Sequence, residues 1–234
     1  YEDRFADLEP LLARVEKPSR YIDHEWGTLS KDDADYRACL IYPDTYEVGL
    51  PNQGIAILYN VLNRQEGISC ERGYVPWVDM ADAMREAGVP LLSLEGAAPV
   101  ASFDVVGFHV PHEMACTNYL EAMDLAGIPF YSADRGEDDP IIIAGGPSVY
   151  NPEPLAPFFD AILIGEGEES IVEVCREHQR LRDAGATRQE ILRGLARVAG
   201  TYVPSLYEIR YDEPCTEHGY AVPREGEDVP EVVY

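Results

Sequence analysis

Two short runs of apolar residues, each ending at a glycine turn, constrain the fold of this chain most strongly. Residues 141–144 read Ile-Ile-Ile-Ala before a Gly-Gly-Pro turn at 145–147, and residues 161–164 read Ala-Ile-Leu-Ile before a Gly-Glu-Gly turn at 165–167. Strands without polar residues on either face are typical of a parallel sheet that helices cover on both sides. In such a sheet, ligands bind at the carboxyl ends of the strands, where both glycine turns lie.

The rest of the sequence alternates strands and helices at the intervals of βαβ units. Strand patterns lie at 37–42, 68–74, 104–110, 141–144 and 160–164, and helical patterns at 53–62, 79–87, 116–126, 168–184 and 188–199. This alternation predicts an α/β fold, Rossmann-like or flavodoxin-like, with a doubly wound parallel sheet of about five strands in the order 2-1-3-4-5 and flanking helices.

The expected domain organisation centres on one α/β unit at residues 37–184. A helix and extension at 1–36 precede it, and a helix and linker at 185–234 follow it. We expect residues 45–52 to form a loop, 91–94 a short extended piece and the residues after 211 a loop-like tail. The chain begins at Tyr1 and ends in a strand-like run, which we interpret as a piece of a longer protein.

The charge balance excludes some classes of partner. The formal net charge is −25, with 43 acidic against 18 basic residues, so nucleic acid and anionic membrane surfaces are not expected to bind. The five cysteines are scattered and never spaced C-x-x-C, which argues against a disulfide framework or a zinc site. Several of them fall in apolar surroundings, which is typical of small core residues. No signal peptide and no membrane-spanning run is present, so we expect a cytoplasmic protein.

The turn at 165–170 nearly spells the dinucleotide motif G-x-G-x-x-G but carries three glutamates. Their charge would repel a pyrophosphate, and the turn follows the last strand instead of the first, so NAD or FAD binding is disfavoured. Glu168 and Glu169 can instead open a helix and complement its dipole, and the loop suits a neutral or cationic ligand. The Gly-Gly pair at 145–146 permits a close approach by either a ligand or the adjacent helix.

Polar residues after the first and third strands are the other candidates. Asp44 can face the ligand edge of the sheet or cap a turn beside Pro43. His112 and Cys116 could place two metal ligands on one helix face, but a third is missing, and we expect His109 to be a hydrogen-bonded polar group at the sheet edge. No catalytic constellation and no metal site is predicted.

Taken together, these segments resemble the N-terminal cobalamin (B12)-binding-like domain of radical SAM proteins, and most closely that of a bacterial family of large, fused radical SAM proteins. The matching segments are 42–49, 104–108, 124–129, 132–135, 143–147, 151–154, 159–160, 164–168 and 202–207. The resemblance implies a radical SAM core on the same polypeptide, which would be this domain's partner. That core would carry a C-x-x-x-C-x-x-C run for a [4Fe–4S] cluster that cleaves S-adenosylmethionine. Because this chain has no such run, the chemistry is assigned to the core.

The resemblance also allows the residues of the usual cobalamin-binding motif to be compared with those of this chain. Well-known cobalamin domains carry D-x-H-x-x-G after the first strand, with the histidine bound to cobalt, whereas this chain has Asp44-x-Tyr46-x-x-Gly49. His109-x-Pro111 stands where serine-x-leucine is usual, and the later glycine pair is kept. Cobalamin ligated by that histidine is therefore not expected. The candidate cofactor-binding residues are Asp44, Tyr46, Glu47, Gly49, His109, Gly145, Gly146, Pro147, Gly165, Glu166 and Gly167.

Three functional hypotheses follow. In the first, the chain is a non-catalytic module that holds cobalamin or part of a substrate for the radical SAM core. In the second, it is a ligand-free domain of the same fold that docks on or covers that core. The third, an independent nucleotide-dependent enzyme, is disfavoured by the glutamates of the Gly165 turn.

Overall fold

The predicted parallel sheet is present, and a sixth strand extends it. A computed structural model describes residues 5–23, 25–29, 31, 34–211 and 219–234. The strands are β1 (Tyr36–Tyr42), β2 (Ile68–Tyr74), β3 (Val105–His109), β4 (Ile141–Gly145), β5 (Ala161–Leu163) and β6 (Thr201–Tyr202). Their order is β2-β1-β3-β4-β5-β6, and only the pairing of β5 with β6 is antiparallel. The predicted order 2-1-3-4-5 is confirmed for the first five strands.

Helices cover both faces of this sheet. They are α1 (Phe5–Leu12), α2 (Tyr46–Gly49), α3 (Gln53–Asn63), α4 (Val78–Ala87), α5 (Cys116–Ala126), α6 (Gly167–Asp183) and α7 (Arg188–Leu195). Helix α3 packs against α6 on one face. Helix α5 lies on the other face, where its Tyr119 ring contacts Phe108 of β3 edge-to-face at 5.9 Å. This two-sided cover explains why β1 and β4 consist almost entirely of buried residues.

The connection from β4 to β5, residues 146–160, contains no α-helix. A buried ion cluster anchors its end instead. Asp160 accepts hydrogen bonds from Arg135 (Nη1–Oδ2 3.0 Å), Arg188 (Nη2–Oδ2 2.8 Å) and the backbone N–H of Ile142 (2.7 Å). Arg135 also donates to the carbonyl of Phe158 at 2.6 Å. These bonds fix the loop against the strands that it joins.

Several local predictions were wrong. The segment expected as a loop at 45–52 contains the helical turn α2, and in the tail a strand β8 (Gly219–Pro223) pairs antiparallel with β7 (Tyr207–Tyr211). By contrast, the short extended piece expected at residues 91–94 is present as the isolated antiparallel bridge between Leu92 and Pro99. β8 was missed because it alternates only weakly and two of its five residues are exposed.

The cysteines and the core agree with expectation where they are described. Cys39, Cys70 and Cys175 are buried, and Cys116 is exposed. Cys215, His24 and His218 lie outside the described residues. One cluster of buried apolar residues runs from Leu8 to Tyr207, and the division into three segments stays a prediction. Within the described ranges, no helix has the length and apolar character needed to cross a bilayer.

Candidate ligand-binding site

A cavity of about 170 Å³ lies on the α3/α6 face, at the carboxyl end of the sheet. Its floor comes from β1, β3, β4 and β5, and its walls come from α3 and the start of α6. This is the switch point of the sheet, where the chain passes from β1 outward to β2 and later returns to β3. It is the position at which open α/β sheets bind their ligands.

Missing side chains on the floor create the space. Gly107 of β3 lies beside Ile143, and Gly145 of β4 lies between His109 and Leu163 in the strand register. A Cβ on Gly145 would meet only Leu163, at 3.8 Å, so the room above it is open. Two central strands thus carry glycine on the face of the sheet that α3 and α6 cover.

His109, the last residue of β3, supplies the only imidazole among the cavity-lining residues. Its ring stacks on Tyr42 with centroids 5.4 Å apart and planes 21° from parallel. Burial lowers the pKa of His109, so the ring is neutral near pH 7. The ring makes no hydrogen bond with any residue in the described ranges, so the expectation of a hydrogen-bonded polar group stays a prediction.

The backbone at position 146 requires a glycine. Its φ is +126°, and a Cβ there would lie 2.9 Å from the carbonyl oxygen of Val110 and 3.1 Å from Nδ1 of His109. The Val110 N–H donates to the Gly145 carbonyl at 2.7 Å, which holds the two loops together. The glycine at position 146 therefore allows a close approach to the loop after β3. Neither of the two partners predicted for this close approach, a ligand or the adjacent helix, is what requires the glycine.

The Gly-Glu-Gly turn at 165–167 forms one rim of the cavity. Gly165, Gly167 and Glu168 line it, while Glu166 borders a neighbouring open groove with Glu169. Helix α6 begins at Gly167, and Glu168 and Glu169 occupy its first turn, as predicted for residues that complement the helix dipole. The carboxylates at this rim are exposed and face water.

The loop after β1 is not part of the cavity. The Asp44 carboxylate accepts from the N–H of Thr45 at 2.7 Å, which is the turn-capping alternative. Glu47 is exposed and pairs with Arg20 at 2.8 Å, and this hydrogen bond lowers the pKa of Glu47.

Tyr46 and Gly49 pack away from the cavity as well. Tyr46 meets Tyr74 edge-on with centroids 5.5 Å apart and lines a separate cavity of about 40 Å³ beside Leu8. Gly49 is buried, and a Cβ there would lie 2.6 Å from the Tyr74 ring. The structure thus brings together His109, Gly145, Gly146, Gly165 and Gly167, and it does not bring Asp44, Tyr46, Glu47, Gly49, Pro147 or Glu166 to the same cavity.

Helix α3 contributes lining residues that sequence reasoning missed. They are Gly54, Ile55 and Leu58, and they face the floor glycine Gly107 across the cavity. None of them carries chemistry, so no motif pointed to them. The available signal was a glycine inside an apolar strand, Gly107, which often marks a close approach.

A metal centre finds no support. Among the residues that the structure describes, no group of three or more His, Cys, Asp or Glu side chains is arranged to hold a metal ion. His112 and Cys116 are both exposed.

The rim of the same sheet edge carries five exposed large apolar side chains. Large apolar side chains are exposed on the segments that follow β1, β2, β3 and β4. They are Val48 at 50%, Trp77 at 50%, Val78 at 63%, Met114 at 87% and Tyr150 at 72% exposure. Exposed apolar side chains gathered at one edge are typical of an interaction surface.

Comparison with known proteins gives a match to a protein family. Residues 54–204, well over half of the chain, match the family described as "Radical SAM proteins, N-terminal". The matched range includes all of the cavity lining except Leu40. No curated protein matches the chain, and no solved structure does.

Proposed function

This chain belongs to the family of N-terminal domains of radical SAM proteins, and from that premise we propose that it is a non-catalytic module that holds a ligand for the radical SAM core. Family membership implies S-adenosylmethionine and a [4Fe–4S] cluster for the protein that contains this domain. We assign both to a core on the same polypeptide, because this sequence has no C-x-x-x-C-x-x-C run. The ligand would be cobalamin or part of the substrate.

The observation that carries the proposal is that residues from several loops meet in one cavity at the switch point of the sheet. Five residues predicted from sequence, His109, Gly145, Gly146, Gly165 and Gly167, line one cavity there. The cavity is apolar and has a neutral imidazole without a hydrogen-bond partner among the described residues. An apolar cavity with a few polar groups at the carboxyl end of a parallel sheet is typical of a ligand site.

The same geometry limits how cobalamin would be held. Tyr46, which stands where the usual histidine ligand would be, packs on Tyr74 and borders a different cavity. Cobalamin would therefore bind without a ligand from that motif, against the loops that carry His109 and the glycines at 145–146 and 165–167.

A hydroxocobalamin retention experiment tests the proposal. The purified chain is mixed with hydroxocobalamin and desalted, and the visible spectrum of the protein fraction is recorded; we expect near-stoichiometric retention. Gly145→Val should lower the affinity at least about tenfold, because its side chain fills the cavity.

Two variants serve as controls. Gly136→Val adds the same bulk at an exposed position where only Asp139 is within 4 Å, and it should retain cobalamin normally. Tyr46→Phe should also retain it. Failure of retention both by the chain alone and in the presence of the radical SAM core would rule out cobalamin.

The exposed apolar rim favours a second candidate, a docking domain without a ligand. In that case the chain should bind a separately produced radical SAM core in the absence of cobalamin. Replacing Met114 and Tyr150 together by serine should weaken that association at least about tenfold, because truncating central apolar anchors of an interface costs 1–2 kcal/mol or more each. Tyr220→Ser is the matched control, because Tyr220 is an exposed aromatic residue of β8, in the separate two-stranded sheet.

A further inference from the structure

We propose that the side chains of Asn63 and Glu95 close the β2 edge of the sheet against strand addition by a second copy of this chain. An open edge strand presents a row of unpaired N–H and C=O groups with which another strand can pair. A twofold axis would set two β2 edges antiparallel, so that each copy supplies the strand that the other lacks. This closure lies away from the proposed ligand site and does not depend on it.

Strand β2 is an edge strand that is covered along its whole length. It stands at one end of the strand order and pairs with β1 on its inner side. Its seven residues are nonetheless all buried. The opposite edge of the sheet is β6, which is two residues long and offers little to pair with. β2 is therefore the edge at which a second chain would add, and other parts of the molecule cover it.

Side chains make most of the hydrogen bonds on the outer side of β2. The Asn63 amide forms both bonds of a strand pair with Cys70: Oδ1 accepts from the N–H at 3.0 Å, and Nδ2 donates to the carbonyl at 2.9 Å. Two residues on, Oε2 of Glu95 accepts from the Arg72 N–H at 2.6 Å. The Leu94 N–H donates to the Arg72 carbonyl at 2.7 Å. The backbone groups that a new strand would use at these two residues are thus already bonded.

The start of β2 is covered in the same way. Nζ of Lys31 donates to the carbonyl of Ile68 at 2.8 Å. Positions 68, 70 and 72 alternate along the strand, which is the spacing of the groups that face one neighbour in a parallel sheet. The cover therefore follows the outer side of the strand residue by residue.

The loop that carries Glu95, residues 93–98, is fixed against β2 by a second carboxylate. Oε2 of Glu71 accepts from the N–H of Gly96 at 3.0 Å. A Cβ on Gly96 would lie 2.7 Å from that same oxygen, so the loop fits closely only with glycine there. Ala97 has a φ of +45°, a left-handed conformation that is strained for alanine. The molecule therefore keeps a strained loop whose conformation sets Glu95 against the edge.

The burial of these groups favours protection of the edge over a merely local role. Asn63 is 5% exposed, and the Glu95 side chain is 3% exposed. Water would satisfy the same backbone groups on an open edge, whereas burying an amide and a carboxylate carries a desolvation cost. That burial also raises the pKa of Glu95 to about 7, against the opposing effect of Arg72. Excluding a second strand accounts for keeping such groups at the edge.

Sedimentation velocity of variants tests the closure. The wild type, Asn63→Ala, Glu95→Ala and the double variant are compared in about 0.5 M NaCl, where the screening length of roughly 4 Å removes most repulsion between the acidic copies. Over about 10–300 μM we expect the double variant to self-associate with a dissociation constant at least about tenfold below that of any wild-type association. Asn63→Ala alone should give a smaller change in the same direction.

Amide hydrogen exchange shows where the copies meet. In the dilute double variant, the amides of Cys70 and Arg72 should exchange about tenfold faster than in the wild type, because each has lost its acceptor. In the associated state, both amides should be protected again by the partner strand. Circular dichroism establishes that each variant is folded.

Matched variants separate closure of the edge from loss of an amide or a carboxylate. Asn60→Ala removes an amide from the same helix, where Nδ2 bonds to the Ala56 carbonyl at 2.7 Å. Glu121→Ala removes a carboxylate that pairs with the exposed Arg85. Both should sediment like the wild type. Glu95→Gln keeps an oxygen that can accept from the Arg72 N–H and should associate less than Glu95→Ala.

Two outcomes would overturn the proposal. One is a folded double variant that sediments like the wild type at every concentration, which would leave these bonds a purely structural role. The other is association in which the Cys70 and Arg72 amides stay unprotected, because the copies would then meet elsewhere. Should Glu95→Ala fail to fold with Arg72 left unpaired, Asn63→Ala alone is judged by the same two criteria.

Discussion

Gly145 and Gly146 are neighbours in the chain but are glycines for different physical reasons. Gly145 has an ordinary backbone conformation and open space where a Cβ would be. Gly146 has a φ of +126° and lies against the Val110 backbone, which cannot move without breaking the bond from Val110 to Gly145. The first glycine leaves room for a ligand, and the second allows the loops after β3 and β4 to meet.

This difference predicts opposite results for the two alanine variants. Gly146→Ala should lower the free energy of unfolding by roughly 2–4 kcal/mol, because alanine is strained at that φ and its Cβ would clash with backbone. Gly145→Ala should change it by less than about 1 kcal/mol. Urea denaturation of both variants measures the two values, and equal losses would show that the cavity glycine is structural too.

At the scale of secondary-structure elements, the sequence predicted those parts that carry a run of strand length or a clear helical period. The runs at β1, β3 and β4 and the helices α3, α5 and α6 were located to within one or two residues. Short elements were missed, because the two residues of β6 carry no period and β8 is half exposed. The helix-free connection of residues 146–160 depends on the distant Arg135 and Arg188, which no local pattern reveals.

Part of the candidate site could also be predicted from these strand patterns. The glycine turns follow strands whose direction was evident, so their place at the ligand edge could be deduced. The loop after β1 follows such a strand too, but α2 turns it toward Tyr74 and Arg20. That turn depends on tertiary packing, and so does the wall that α3 contributes.

Helix α6 is joined to β1 through a buried polar pair that should make stability depend on pH. His178 Nδ1 and the Tyr36 hydroxyl share a hydrogen bond of 2.7 Å, and both residues are buried. Burial lowers the pKa of His178 from 6.5 to about 4. The unfolded chain therefore binds the proton that the folded chain excludes between these two values.

The consequence is a loss of stability on acidification. At pH 7 the histidine is neutral in both states, and as pH falls from 6.5 to 4 its protonation in the unfolded chain should cost the fold about 3 kcal/mol. His178→Gln should flatten the curve of unfolding free energy over that window by about this amount. His112→Gln makes the same substitution at an exposed position and is the control for the loss of a histidine. Parallel curves for His178→Gln would contradict the assignment.

At the scale of the whole molecule, the excess of acid is the dominant electrostatic feature. The chain has 43 acidic and 18 basic residues, and only Lys17 and Lys31 are lysines. Several arginines form ion pairs with nearby carboxylates, such as those of Arg85 with Glu121 and Asp124. Such pairs do not cancel the formal net charge of −25, so compaction brings many like charges together.

Salt should therefore stabilise the fold. Between 10 and 150 mM NaCl the screening length falls from about 30 Å to about 8 Å, which removes most long-range repulsion while leaving pairs in contact largely intact. We expect the melting temperature to rise by about 3–6 °C over that range and then to level off. Sucrose is the control, because an excluded uncharged solute stabilises without such a plateau. A melting temperature that falls with NaCl would mean that the arginine ion pairs outweigh the acidic excess, and the repulsion inferred from the net charge would then be wrong.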